Sequence, residues 1–327
     1  MPDADPTPVV TVFLRHRGEV LLLRRSDEVD SYPGRWGAVA GHVEDGDPAA
    51  SALREVEEET GLRGADVHPR RQGSAFTVED DDHGAHWRVH PFLFDVDSRS
   101  IQTNWETEAV EWASPTVLLR RDTVPDLWTS YRRVAPSILG LTNDTTHGSA
   151  YLSIRALEVL RDRAGMLAHS EAATIEDARG RLIGTAHRLL DARPSMAALA
   201  NRLHRAMHAS LPELPPDAVE TNAHEAIQNA LAADAAAAEV ETLDLSAVPA
   251  GGSVAVGAGS RGIANLPEIV RGVVEGLTAR GYEPFVFPAM GSHGGATAEG
   301  QREKLATLGV TEARVGCEVR ATMDVVT

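Results

Sequence analysis

Between Asp47 and Gly61 the chain has little freedom to be anything but a short helix. Asp47 suits the cap, Pro48 the first turn, and Gly61 the left-handed position just past the end. The helix this predicts over residues 48–60 puts Glu55, Glu58 and Glu59 at i, i+3 and i+4, so three carboxylates share one face. Like charges this close destabilise a helix and push carboxyl pKa values upward, an arrangement that makes sense with a divalent cation between them. Hard oxygen ligands select Mg2+ or Mn2+, ions that also bind phosphate oxygens. With such ions a diphosphate is neutralised and water oriented, and one carboxylate accepts a proton as that water attacks phosphorus. Arg54 is read as a supporting member of this catalytic set, orienting the glutamates by a charge-assisted hydrogen bond. The competing reading is an acidic helix face that is merely solvated.

The segment from Gly41 through Asp47 and on from Arg54 to Leu62 resembles the Nudix box, in which a glycine, five residues, a glutamate and seven residues precede Arg-Glu-aliphatic-any-Glu-Glu-any-Gly-aliphatic. The second half matches at every position. In the first half Asp47 replaces the glutamate, and only six residues, Pro48 to Leu53, separate it from Arg54. The resemblance implies a metal-dependent hydrolase of a nucleoside diphosphate linked to another moiety, with Glu55, Glu58 and Glu59 as metal ligands and a nucleotide or nucleotide sugar as its small-molecule partner. The flanking Tyr32-Pro33-Gly34-Arg35-Trp36-Gly37 and Glu108 to Trp112 resemble the strands on either side of that box, with Glu108 a candidate distal carboxylate. Arg24, Arg25 and Arg35, together with Gly41, are the candidate substrate contacts. His83, His86 and His90 invite a metal reading, but they follow an acidic hairpin tip and alternate with strand residues, which favours a structural or solvated role.

The texture of the chain changes twice, predicting a multi-domain protein. Residues 1–120 read as an α+β domain, with β-type runs at Val9–Leu14, Val20–Arg24, Trp87–Phe94 and Ala109–Trp112 around the acidic helix. Residues 121–238 read as an all-α module, with helical spacing in Tyr151-Leu152-Ile154-Leu157-Leu160. The alanine-rich Ala230–Glu239 is a helix end or a linker. Residues 243–327 read as a partial α/β module of βαβ type with a parallel sheet: Ser253–Val256, Leu266–Ala279, Pro284–Phe287, Ala298–Leu308.

In the helical block, His147-Gly148-Ser149-Ala150 and Ala192-Arg193-Pro194-Ser195 resemble the N-terminal helical domain of the initiation-factor-2B-like family, which includes regulatory subunits and sugar-phosphate isomerases. That likeness implies assembly through the helices into a homo-oligomer, and a phosphate near Arg193. It leaves open two other functions for the chain, a nucleotide-sensing regulatory protein and an isomerase-related one. In the last block, Gly257-Ala258-Gly259-Ser260-Arg261-Gly262 and Met290-Gly291-Ser292-His293-Gly294-Gly295-Ala296-Thr297 follow successive strands, the usual place for a ligand in a parallel sheet. These loops resemble the N-terminal domain of nickel-dependent lactate racemase-like proteins, which implies a catalytic or cofactor-facing His293.

Composition narrows the partners. A formal charge of −17 disfavours a nucleic-acid duplex or an anionic membrane. No apolar run approaches the roughly 20 residues of a membrane span, and the first residues lack a basic, apolar leader, so a cytoplasmic location is expected. Cys317 is the single cysteine, which excludes an internal disulfide. Lys304 is the single lysine, against clustered acid such as Glu79-Asp80-Asp81-Asp82, a balance that suits a halophilic setting where salt screens charge repulsion.

Overall fold

A computed structural model describes residues 5–44, 46–80, 83–169, 174–211, 213–259, 263–290 and 293–322. The chain forms two compact units, Met1–Glu225 and Ala226–Thr327.

The first unit is built on an eight-stranded sheet. Its strands and first helix follow in the order β1 (Thr7–His16), β2 (Glu19–Arg25), β3 (Trp36–Gly37), β4 (Val39–His42), α1 (Pro48–Thr60), β5 (Val67–Gln72), β6 (Phe76–Asp80), β7 (Ala85–Val96) and β8 (Thr107–Ala113). The central path runs β3-β2-β1-β7-β5, with β4 pairing β1, β6 pairing β7 and β8 pairing β2. The β1–β7 pair is parallel, its register matching Val10 with His90 and Phe13 with Leu93.

Both faces of the sheet are covered, and the sequence of β1 and β2 shows why. Alternate residues point to opposite sides, and here both sides are apolar, as expected of strands buried on two faces. Val10, Val12, Leu14, Leu21 and Leu23 enter the core beneath α1 with Ala52 and Val56. Phe13, Val20 and Leu22 enter a second core with Leu127, Tyr131 and Val134 of α2 (Leu127–Val134).

Helices α3 (Ile138–Asn143), α4 (Ser149–Ala168), α5 (Ile175–Ala192) and α6 (Ala197–His208) complete this unit, and α7 (Pro216–Thr242) follows. Ala230–Glu239 therefore lies inside a long helix, in line with the helix propensity of alanine, and is not a linker. Polar and charged groups also join α4 to the sheet. Arg15 of β1 is 4% exposed and pairs with Asp95 of β7 and, 3.2 Å away, with Glu158 of α4. The fully buried Arg161 donates to the Gly18 carbonyl at 2.7 Å and to Asp162.

In the second unit β9 (Ser253–Ala258) and β10 (Glu283–Pro288) pair in parallel across α8 (Leu266–Ala279), as the βαβ pattern predicts. Helices α9 (Ala298–Thr307) and α10 (Glu312–Val315) pack with them around Val270, Val274, Val286 and Leu305. Among the described residues no helix is long and apolar enough to cross a membrane.

Candidate active site

The site is organised by α1, which begins and ends where its caps dictate. The Asp47 carboxylate accepts from the N–H groups of Ala49 and Ala50 at 2.9 and 3.2 Å. Gly61 sits at φ 71°, a left-handed conformation that glycine adopts without steric cost, and closes the last turn onto the Glu57 carbonyl. The shortened spacing ahead of Arg54 thus has a structural outcome: Asp47 is committed as a cap. Arg54 pairs with Glu44 and, at 3.3 Å, with the Ser51 hydroxyl. It steadies the loop entering the helix, where the sequence pointed to hydrogen bonds with the three glutamates; its remaining influence on them is electrostatic, favouring ionised Glu55.

The glutamates differ in surroundings. Glu59 is 7% exposed and accepts from the Ala40 N–H of β4 at 2.9 Å. Burial raises its pKa to about 8, with Glu55 and Glu106 adding to the rise. Glu55 is half-buried and its pKa rises to about 7, through burial first and then the nearby charges of Glu58 and Glu106. Glu58 is exposed. Gly41 matters because of what it lacks: a Cβ built there would lie 2.0 Å from the Glu55 carboxyl carbon. The acidic face of α1 is therefore pressed against bare backbone of β4.

Glu106 is the acid that sequence reasoning missed. It precedes β8, and its charge acts on both Glu55 and Glu59. Glu108, the acid chosen from sequence, pairs instead with Arg24 at 3.1 Å, both groups largely exposed. A register irregularity between Arg24 and Arg25 of β2, facing Ala109 and Thr107 of β8, separates the two glutamates' environments. Nothing in the local spacing signals that shift.

The three arginines have protein partners. Arg24 also donates to the Gly34 carbonyl at 3.0 Å, and Arg25 to the Ser31 carbonyl at 2.7 Å, so both shape the loop between β2 and β3. Arg35 faces Asp122 at 3.5 Å and lies over the Tyr32 ring. Of the histidines, His83 bonds to Asp80 at 3.0 Å and His86 lies 3.8 Å from Glu79. Arg193 donates to the carbonyls of Leu141 and Asp144, fastening the end of α3. Ser260, Arg261, Gly262, Gly291, Ser292 and the His293 side chain lie outside the described residues.

Among the described residues, no three His, Cys, Asp or Glu side chains are drawn together closely enough to hold a metal ion. The residues nonetheless suit a hard divalent cation. All candidate donors are carboxylates, two have raised pKa values that a cation would relieve, and Gly41 leaves the Glu55 carboxylate room beside the backbone.

Comparison with known proteins bears on the same segment. Residues 5–134 match the family model described as NUDIX domain. Nudix hydrolase 3 of Arabidopsis thaliana is 45% identical over 56 residues, 16% of this chain and 7% of that protein. The chain thus spans only a small fraction of the length of that curated relative. Among solved structures, a MutT protein from Methanosarcina mazei Go1 is 25% identical, covering 40% of this chain and 95% of its own, with a TM-score of 0.33. A C. elegans Ap4A hydrolase is 20% identical, covering 39% and 93%, with a TM-score of 0.33. Over residues 5–134, then, this chain is similar to a NUDIX domain.

Proposed function

We propose that the chain hydrolyses the diphosphate of a nucleoside diphosphate linked to another moiety, with Mg2+ or Mn2+ held by Glu55, Glu58, Glu59 and Glu106. The observation that carries this reading is the placing of Glu55 against the side-chain-free backbone at Gly41, with Glu59 and the charge of Glu106 nearby, where burial first and neighbouring negative charge second raise the pKa values of Glu55 and Glu59. When bound, the cation supplies charge neutralisation of the diphosphate and polarises the attacked phosphorus. Glu59, anchored by the Ala40 N–H, keeps one carboxylate fixed in the floor of the site. Glu55 and the exposed Glu58 offer further carboxylates, one of which accepts the proton of the attacking water. Arg24, Arg25 and Arg35 hold the loop beside the site and present residual guanidinium N–H groups to substrate phosphates.

The test is product release from nucleoside triphosphates, dinucleotides and ADP-ribose with Mg2+ or Mn2+. Glu58→Gln is expected to lower kcat by roughly a hundredfold or more while leaving the fold intact, since Glu58 is solvent-exposed. Tight nucleotide binding with no turnover in the unsubstituted protein would instead favour a nucleotide sensor.

A further inference from the structure

On the sheet face away from α1 there is a cavity of about 310 Å3 whose wall includes Arg15, Arg70, Arg71, Arg155, His147 and Tyr151. Four arginines around one cavity are unexpected in a chain with a formal charge of −17.

Their charge is incompletely matched. Asp95 takes Arg15 at 2.6 Å and Arg70 at 2.8 Å. Glu158 takes Arg15 at 3.2 Å and lies 3.0 Å from Arg155. Two carboxylates thus serve three guanidinium groups. Arg71 spends one N–H on the neutral Ala135 carbonyl at 2.8 Å. The remaining acid, Asp144, is engaged by His147 at 2.8 Å and by the backbone N–H groups of Thr146 and His147.

Arg155 is the sharpest imbalance. Its Nε and Nη1 atoms are shielded from solvent and have no hydrogen-bond partner, although the Glu158 carboxylate forms an ion pair at 3.0 Å. Burial and the repulsion of Arg15 both disfavour its charged form. Unsatisfied, buried guanidinium donors cost far more than exposed ones unless a ligand supplies the acceptors.

The backbone is also shaped toward the cavity. Neighbouring residues of a strand normally face opposite sides, yet Arg70 and Arg71 of β5 both line it. The register of β5 against β7 shifts between Pro69 and Arg71, a bulge that re-aims consecutive side chains. His147 stacks on Tyr151 with ring centroids 4.0 Å apart, and Arg155 lies over the same ring, giving the wall a flat apolar side next to the cationic one.

We propose that this cavity is a second ligand site, binding a small phosphate monoester through Arg70, Arg71 and Arg155. A dianionic, tetrahedral group with several acceptor oxygens meets separate guanidinium forks better than a single carboxylate does. The volume admits a phosphate bearing a sugar or nucleoside, whose organic part rests on the Tyr151 side. The site stands apart from the acidic face of α1 and does not depend on the hydrolase reading.

Calorimetric titration of the full chain in EDTA, with inorganic phosphate, ribose 5-phosphate and AMP as separate probes, tests this. EDTA keeps the carboxylate site from engaging phosphate. Binding of at least one probe is expected with a Kd below about 1 mM. The preference among the three tells whether phosphate alone, a sugar or a base is read. Arg155→Gln and Arg70→Gln should each weaken binding by about tenfold, and Glu58→Gln should leave it unchanged. Arg70 is partly exposed, so its variant remains informative if Arg155→Gln fails to fold. Absence of binding by all three probes, or affinities indifferent to both arginine substitutions, overturns the proposal.

Discussion

The contact between Gly41 and Glu55 separates a requirement of function from one of folding. A methyl group at residue 41 would occupy the space of the Glu55 carboxylate, which is the far end of a flexible side chain and can swing away. Gly41→Ala is therefore expected to change stability by less than about 1 kcal/mol while reducing hydrolysis by roughly tenfold or more. Parallel melting curves and kcat measurements decide this, and a large drop in Tm with normal kcat would contradict it. Glu106 carries the complementary lesson. The sequence pointed to its neighbour Glu108 alone, two residues further along and on the strand itself. The β2–β8 irregularity parts the two acids, and such a break depends on a partner strand that local pattern does not show.

Among elements, those with strong local signals were readable before the structure. Helix α1 carries its cap, its first-turn proline and its terminal glycine in the sequence, and its bounds follow. Helix α8 and the strands beside it were equally legible from the change between strand and helix spacing. By contrast, β3 is two residues long and β5 reads Val-His-Pro-Arg-Arg-Gln, with little apolar alternation, so both exist through pairing with longer neighbours. The packing of α7 on α8 was also hidden. It depends on Gly272, where a Cβ would lie 2.2 Å from the Ala233 carbonyl oxygen. Backbone cannot step aside as a side-chain tip can, so Gly272→Ala should destabilise the protein by about 1–3 kcal/mol despite alanine's better helix propensity. Denaturant unfolding of the variant checks the sign; a gain in stability would refute the close approach.

The whole molecule is governed by its excess of acid and by how arginine meets it. Among the carboxyls held below their ordinary range are Asp95, Glu19 and Asp144. Burial pushes each up, and Arg15 at Asp95, His224 and Arg99 at Glu19, and the N–H groups around Asp144 more than offset it. A lowered folded-state pKa means stability that is complete above the unfolded value near 4 and is lost as pH falls through the folded one. Thermal melts should thus decline below about pH 4, and the raised pKa values of Glu55 and Glu59, about 7 and about 8, add a second, opposite loss in metal-free buffer as pH climbs from near 4.5 through them; a protein equally stable at pH 2 would exclude the first set of contributions. Surface repulsion at −17 acts across the neutral range and is relieved by screening. Tm is expected to rise between about 0.1 and 2 M KCl, whereas maximal stability in dilute buffer would refute a salt-adapted surface.

Arg15 and Arg161 impose a limit on dissection. Cutting after residue 134 would preserve all the glutamates of the acidic face yet remove Glu158, leaving a buried guanidinium on β1 with one counter-ion of two. It would also take Arg161 from the Gly18 carbonyl at the β1–β2 turn. Losing one partner of a buried ion pair costs about 3–5 kcal/mol, a large share of what a domain this size has in reserve. The span that resembles a portable catalytic cassette is thus chemically married to the helices that come after it.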